Sequence, residues 1–150
     1  MIIESRANER VKEARKLQNR KERKESGLHL IESGKLVREA IASGAEVVSC
    51  FVEDGFDFAV PDGAVNYAVT RAVLESLCES QTPQGIVAVV KTPALTPPEE
   101  YPAGLVVVLD GVQDPGNVGA ILRSADAFGA AGVLLSPACA DAYAPKTLRA

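Results

Sequence analysis

The stretch Leu105–Ser136, LVVVLDGVQDPGNVGAILRSADAFGAAGVLLS, decides the reading of this chain. Leu105 to Leu109 is a short, apolar, β-branched run, the pattern of a strand covered on both faces. Asp110 to Gly116 has turn chemistry, with two Gly, one Pro and two Asp. From Asn117 the apolar residues Val118, Ile121, Leu122, Ala125 and Phe128 recur at helical spacing. Gly129 and Gly132 close that helix, and Val133 to Leu135 begin a second strand. A strand, a glycine turn, a helix and a strand make one α/β unit. It carries two polar residues, Asn117 and Arg123, at and near the start of a helix. Backbone N–H groups and the helix dipole favour anions such as phosphate there.

Working outward, strand and helix patterns alternate through the preceding residues. Residues 5–25 are rich in Arg, Lys, Glu and Ala and predict one helix, with Val11, Ala14 and Leu17 as its apolar stripe and Ser26-Gly27 as its stop. Leu28–Ile31 predicts a strand. Lys35–Ala42 predicts a helix with Leu36, Val37, Ala40 and Ile41 inward. Val47–Val52 predicts a second strand, followed by a surface loop over 53–63. Asn66–Val69, Ala72–Cys78 and Ile86–Val90 predict a strand, a short helix and a buried strand. This is a small α/β domain over residues 1–92. Residues 93–103, within KTPALTPPEEYPAG, are a proline-rich linker that cannot join a central ladder. Residues 104–150 then begin a second α/β domain. They are few for an independent core, and no disulfide framework supports them.

Charge is unevenly spread. The 150 residues carry a net charge of −4, yet residues 1–24 hold nine Lys/Arg against four Glu, a net of +5. A basic arm on an acidic body fits a local contact with phosphates. Lys16, Arg20, Lys21, Arg23 and Lys24 are the candidate contacts, of the kind that position a nucleic-acid backbone without reading its sequence. A solvated helix laced with Glu–Lys pairs explains the same residues equally well. Cys50, Cys78 and Cys139 are an odd count without paired spacing, so they fit buried thiols in a reducing compartment and no metal site. His29 sits in an apolar strand and reads as structural. The start of the chain lacks the form of a signal peptide, and no apolar run reaches the roughly 18 residues of a membrane span. These features predict a cytoplasmic protein.

Asp114, Pro115, Asn117, Gly119, Arg123, Ala125, Phe128 and Gly129 together resemble motif 1 of the SpoU/TrmH family of RNA ribose 2′-O-methyltransferases, in the SPOUT class. That motif runs Asp-Pro-x-Asn-x-Gly, then x-x-x-Arg-x-Ala-x-x-Phe-Gly, and this chain follows it without departure. Lys16–Lys24, Leu30–Ala40 and Gln81–Val90 are similar to the family's N-terminal substrate-binding domain. The resemblance implies a small N-terminal α/β RNA-binding domain followed by the start of a SPOUT-type, trefoil-knotted, Rossmann-like α/β domain. It implies S-adenosylmethionine as cofactor, ribosomal RNA as substrate, and a homodimer. Motifs 2 and 3, which bind the cofactor, are expected C-terminal to Ala150 in a longer chain. One segment departs from the pattern: Ser33 stands between Glu32 and Gly34 where the family has Gly directly after Glu, a change expected to cost little because a Gly still follows.

The resemblance assigns Arg123 to activating the ribose hydroxyl, with Asn117 ordering the site beside it. A guanidinium is a poor general base, so holding a phosphate or stabilising developing negative charge is the role that suits Arg123. From the residues alone, Asn117 is a helix cap and Arg123 a surface cation. Gly116 and Gly119 fit a tight turn and a close backbone approach. Gln84, in the turn Thr82-Pro83-Gln84-Gly85, is a further candidate RNA contact. Two other functions compete with the enzyme: a module that binds RNA without methylating it, and an unrelated nucleotide-binding α/β protein. The second lacks a Gly-x-Gly-x-x-Gly or Gly-Lys-Ser/Thr signature.

Overall fold

Asn8 caps the first helix, α1 (Glu9–Lys16), by accepting the Arg10 N–H at 2.9 Å. In the computed structural model, which describes residues 1–150, the single helix expected over residues 5–25 is instead two. Leu17, Gln18 and Asn19 each donate a backbone N–H to the carbonyl three residues back, tightening the last turn and ending α1. Asn19 is extended and caps α2 (Arg20–Ser26) through the Lys21 N–H at 2.9 Å. The break drops Leu17 into the core, where it is buried with Val11 and Ala14. Arg23 then donates to the carbonyls of Leu17 and Gln18, at 3.0 Å each, which the break has left without helical partners. Composition favours helix throughout; packing and the Asn19 cap place the interruption.

The chain divides into two units, Met1–Pro93 and Ala94–Ala150. The first is built on four strands: β1 (Leu28–Glu32), β2 (Val47–Glu53), β3 (Val65–Val69) and β4 (Ile86–Lys91). Their order is β1-β4-β2-β3, with β2 and β3 parallel and the other pairs antiparallel. Helix α3 (Gly34–Ala42) joins β1 to β2, and α4 (Arg71–Leu77) joins β3 to β4. Strand β4 is central and apolar, as a doubly covered strand must be, and only Lys91 at its end is exposed. Val11, Leu17, Leu30, Phe51, Val73, Leu74, Leu77 and Val87 form the core beneath the helices. The Phe51 and Tyr67 rings stack with centroids 5.1 Å apart. His29 is buried and hydrogen-bonds Thr92 Oγ1 at 2.7 Å. Cys50 and Cys139 are buried, Cys78 is half-buried, and all three are free thiols.

Ser33 sits at φ +92°, ψ 140°, a region that glycine tolerates and other residues adopt only under strain. The inserted Ser, and not Gly34, takes the special backbone position. The expectation that the Ser33 departure costs little is therefore corrected.

In the second unit, β5 (Val106–Leu109), α5 (Pro115–Ala127) and β6 (Gly132–Leu135) form a βαβ unit with the two strands parallel. Helix α6 (Pro145–Arg149) packs on α5. Leu109, Val118 and Cys139 form the buried centre, flanked by Ile121, Leu122, Val133 and Leu135. The strand expected to be covered on both faces is not. Val108 is 67% exposed, because in residues 94–150 one helix lies on one face of a two-stranded sheet. Phe128, expected on the inward face of the helix, is 86% exposed. Helix α5 stops at Ala127, and Phe128 is its C-cap residue, followed by Gly129 at φ +69°. The N–H of Ala130 bonds the Ala125 carbonyl at 2.9 Å, which closes the helix as a Schellman turn does.

Candidate functional site

The turn after β5 is held from several directions. Gly111 donates its N–H to Ser136 Oγ at 3.0 Å, and Ala140 donates to the Val112 carbonyl at 2.8 Å. The turn therefore lies against the loop that follows β6, at the carboxyl ends of two parallel strands. Open α/β sheets place their ligands at such ends. Asp114, not Asn117, caps α5: its Oδ1 accepts the Asn117 N–H at 2.9 Å. The reading of Asn117 as the cap is thus corrected. The motif's Asp opens the helix and Pro115 follows at the first helical position, where its missing N–H costs nothing. The Asp114 carboxylate occupies the positive end of the helix dipole and pairs with Lys146 at 3.9 Å. A phosphate at the same amides would meet that carboxylate. Anion contact in this unit therefore falls to side chains.

Two such side chains are available. Asn117 and Arg123 are both exposed, and neither side chain makes a hydrogen bond or ion pair within the chain. Six residues separate them, about 9 Å along the helix axis at 1.5 Å per residue. Gly119 explains its own place in the motif. A Cβ there would strike the Thr147 carbonyl oxygen and lie 2.6 Å from the Ala150 Cβ, so only glycine lets α6 approach α5 this closely. Thr147 is buried, and its hydroxyl donates to the Asp141 carbonyl at 2.8 Å, fixing α6 in that position.

The candidate RNA contacts of the first unit separate into different environments. Lys16 is exposed and pairs with Glu13 at 2.7 Å, which holds its pKa above the ordinary lysine range. Lys12 pairs with Glu9 at 3.2 Å and Lys21 with Glu25 at 3.8 Å. Such exposed pairs are weak and screened by solvent, so they leave the lysines free to exchange partners. Arg20 and Lys24 are exposed on α2. Arg23 is not with them: it is buried and directed at the Leu17 and Gln18 carbonyls, a structural role. Gln84 is exposed but lies before the start of β4, whereas α2 runs into β1 at Leu28, which pairs with Lys91 at the other end of β4. The strand between spans roughly 16 Å at 3.3 Å per residue, so the structure does not bring Gln84 to the basic helix.

Sequence reasoning missed what shapes the Gln84 turn. Glu32 is buried at the end of β1, and its two oxygens accept the N–H groups of Glu79 and Ser80, at 2.7 and 3.3 Å. Phe56 packs so closely on Gly85 that no Cβ fits there. A carboxylate closing an apolar strand was the available signal for Glu32. The residues 1–150 contain no cluster able to hold a metal ion, and no helix is long and apolar enough to cross a membrane.

Comparison with known proteins places these features in context. Residues 8–88 match the MRM3-like substrate binding domain, and residues 104–150 match the SpoU rRNA Methylase family. The chain is 39% identical to the 23S rRNA (guanosine(2553)-2′-O)-methyltransferase RlmP of Bacillus subtilis over 98% of its own length and 59% of that protein's. It is 34% identical to the mitochondrial rRNA methyltransferase 3 of Mus musculus, over 85% of this chain and 33% of that one. A crystal structure of an RNA 2′-O ribose methyltransferase superposes with a TM-score of 0.83 at 35% identity, covering 99% of this chain and 60% of that one. The SpoU methyltransferase AviRb of Streptomyces viridochromogenes, in complex with AdoMet, superposes with a TM-score of 0.83 at 29% identity, covering 95% and 58%. The chain thus spans about 60% of the length of the first of these relatives.

Proposed function

From the premise that this chain belongs to the SpoU rRNA methylase family, with an MRM3-like substrate-binding domain, we propose that it acts in S-adenosylmethionine-dependent methylation of a ribose 2′-hydroxyl, in ribosomal RNA. The observation that carries the reading is Arg123: exposed and without a hydrogen-bond or ion-pair partner, on the helix that follows the turn at the carboxyl end of β5. The names of the relatives favour an enzyme over a bare RNA-binding module.

When bound, S-adenosylmethionine supplies an electrophilic methyl group. Two amides of the turn are already engaged, the Gly111 N–H by Ser136 Oγ and the Asn117 N–H by Asp114 Oδ1. The residues that would hold the cofactor are those of motifs 2 and 3, which the family resemblance places C-terminal to Ala150. What this chain contributes is a fixed cation. The Arg123 guanidinium grips a phosphate through paired N–H donors and stabilises negative charge as it develops on the attacking hydroxyl oxygen. The Asn117 amide, unspent on capping, is free to orient the same ribose. In the first unit Lys16, Arg20, Lys21 and Lys24 supply phosphate contacts, with Gln84 a separate contact at the far end of the sheet. The reading includes a cytoplasmic homodimer. Exposed Val108 and Phe128 support the dimer, as apolar surface that a second copy would cover.

The test is transfer of tritiated methyl from S-adenosylmethionine to ribosomal RNA, with the product mapped at the 2′-oxygen. In a longer chain that carries the expected motifs 2 and 3, the expected result is transfer that falls at least 100-fold in Arg123→Ala, the scale seen when one oxyanion donor is removed. RNA binding without any methyl transfer would leave only the binding-module reading for this chain.

A further inference from the structure

Helices α1 and α2 do not seal the face of the sheet they cover. Between them and β2–β3 lies a cleft of about 400 Å³, within the size range of small-molecule and cofactor sites. Its floor is a row across three strands: Val65 pairs with Ser49, and Ser49 pairs with Val89. The Phe51–Tyr67 stack lies one step further along the same face. A register shift between Val47 and Ser49 interrupts the β2–β4 ladder at this point, the kind of irregularity that re-aims a side chain. Ser49 is only 9% exposed and lines the cleft, yet its hydroxyl makes no hydrogen bond within the chain. Its oxygen is open to the cleft, since the buried side-chain polar atom that lacks a partner is Arg15 Nε, so the hydroxyl can donate to or accept from a molecule that enters.

The rim indicates the partner's chemistry. Arg10 and Lys16 are balanced there by Glu13 and Glu22, so the cleft has no surplus charge for a phosphate. Flat apolar walls, one aromatic ring with a hydroxyl and one buried serine suit a neutral planar molecule with a hydrogen-bonding edge. We propose that this cleft takes one unstacked nucleobase of the bound RNA, stacked against Tyr67 with an edge hydrogen-bonded to Ser49. The inference rests on the RNA-binding reading above and deepens it. The basic residues of α1 and α2 hold the backbone outside while the base enters between helix and sheet. Single-stranded bases splayed out of a helix are what proteins read in RNA, because the grooves of the paired form hide the edges.

The experiment compares two fluorescein-labelled RNA hairpins that differ at one position, a bulged adenosine or an abasic residue, by anisotropy titration of the full 150-residue chain at fixed low salt. The wild type is expected to favour the bulged base about tenfold, in keeping with the value of one base–aromatic stack. Tyr67→Leu and Ser49→Val should each bring that ratio toward one while affinity for the abasic hairpin stays constant. Tyr67→Phe should keep most of the preference. Ser49→Ala adds no bulk and serves if valine perturbs the fold. Equal wild-type affinity for the two hairpins would overturn the pocket and leave RNA binding standing. Failure to bind either hairpin would overturn both. As an independent readout, 4-thiouridine at the bulge should crosslink to residues 47–53 or 65–69, and crosslinks confined to α2 would refute the placement.

Discussion

Replacing Ser33 with glycine should stabilise the first unit. Ser33 is the only non-glycine residue with positive φ, at +92° with ψ 140°, between a strand residue, Glu32, and the start of α3. Holding a side chain there costs on the order of 1–3 kcal/mol. Against that stands the cap: Ser33 Oγ accepts the Leu36 N–H at 3.4 Å, a long bond. Glycine in place of serine at a cap loses only about a few tenths of a kcal/mol. It also adds freedom to the unfolded chain, worth roughly 0.4–1 kcal/mol against folding. The balance for Ser33→Gly is a gain of about 1 kcal/mol, which raises Tm by roughly 2–4 °C for a chain of this size. Ser33→Ala separates the two contributions. It keeps the strain and loses the cap, so it should lower stability by about 0.5–1 kcal/mol. Thermal and urea unfolding followed by far-UV circular dichroism read both variants. A lowered Tm in Ser33→Gly, or the same change in both variants, would show that the backbone at Ser33 is not strained.

Gly119→Ala should loosen α6 from α5, since its methyl meets the Thr147 carbonyl and Ala150; a loss of about 1–3 kcal/mol is expected, seen as faster amide exchange over 115–127 and 145–149. Arg23→Ala should destabilise the fold by about 1–3 kcal/mol through the stranded Leu17 and Gln18 carbonyls, whereas Lys24→Ala should leave Tm unchanged. In RNA binding the order reverses: Arg20→Ala, Lys21→Ala and Lys24→Ala should each reduce the slope of log K against log salt by about 0.7–0.9, and an unchanged slope in the triple variant would remove α2 from the interface. Burial pushes the Cys50 thiol up to about 11, so at pH 8 it is protonated as well as inaccessible. Aromatic disulfide reagents should therefore modify Cys78 first in the native chain and all three thiols once it is unfolded.

Apolar runs and turn residues determined most of the strands and helices. Strands such as Ile86–Lys91 follow continuous apolar runs and helices such as Arg71–Leu77 an apolar pattern of period 3.6, which neighbouring residues set by themselves. The motif around Asp114–Gly129 was legible as a sequence and indicated the family. Its division of labour was not, because Asp and Asn are both good helix caps and only the backbone geometry shows that Asp114 caps and leaves Asn117 free. Tertiary structure alone decided the rest. It split the basic helix at Leu17 to bury that side chain and turned Arg23 from a phosphate contact into a partner for stranded carbonyls. It placed Gln84 at the far end of β4 from α2. It put the strain on Ser33, and it left Ser49 unpaired beneath two helices. Each of these depends on residues far apart in the chain meeting in space, and hydrophobic periodicity carries no record of which distant groups will meet.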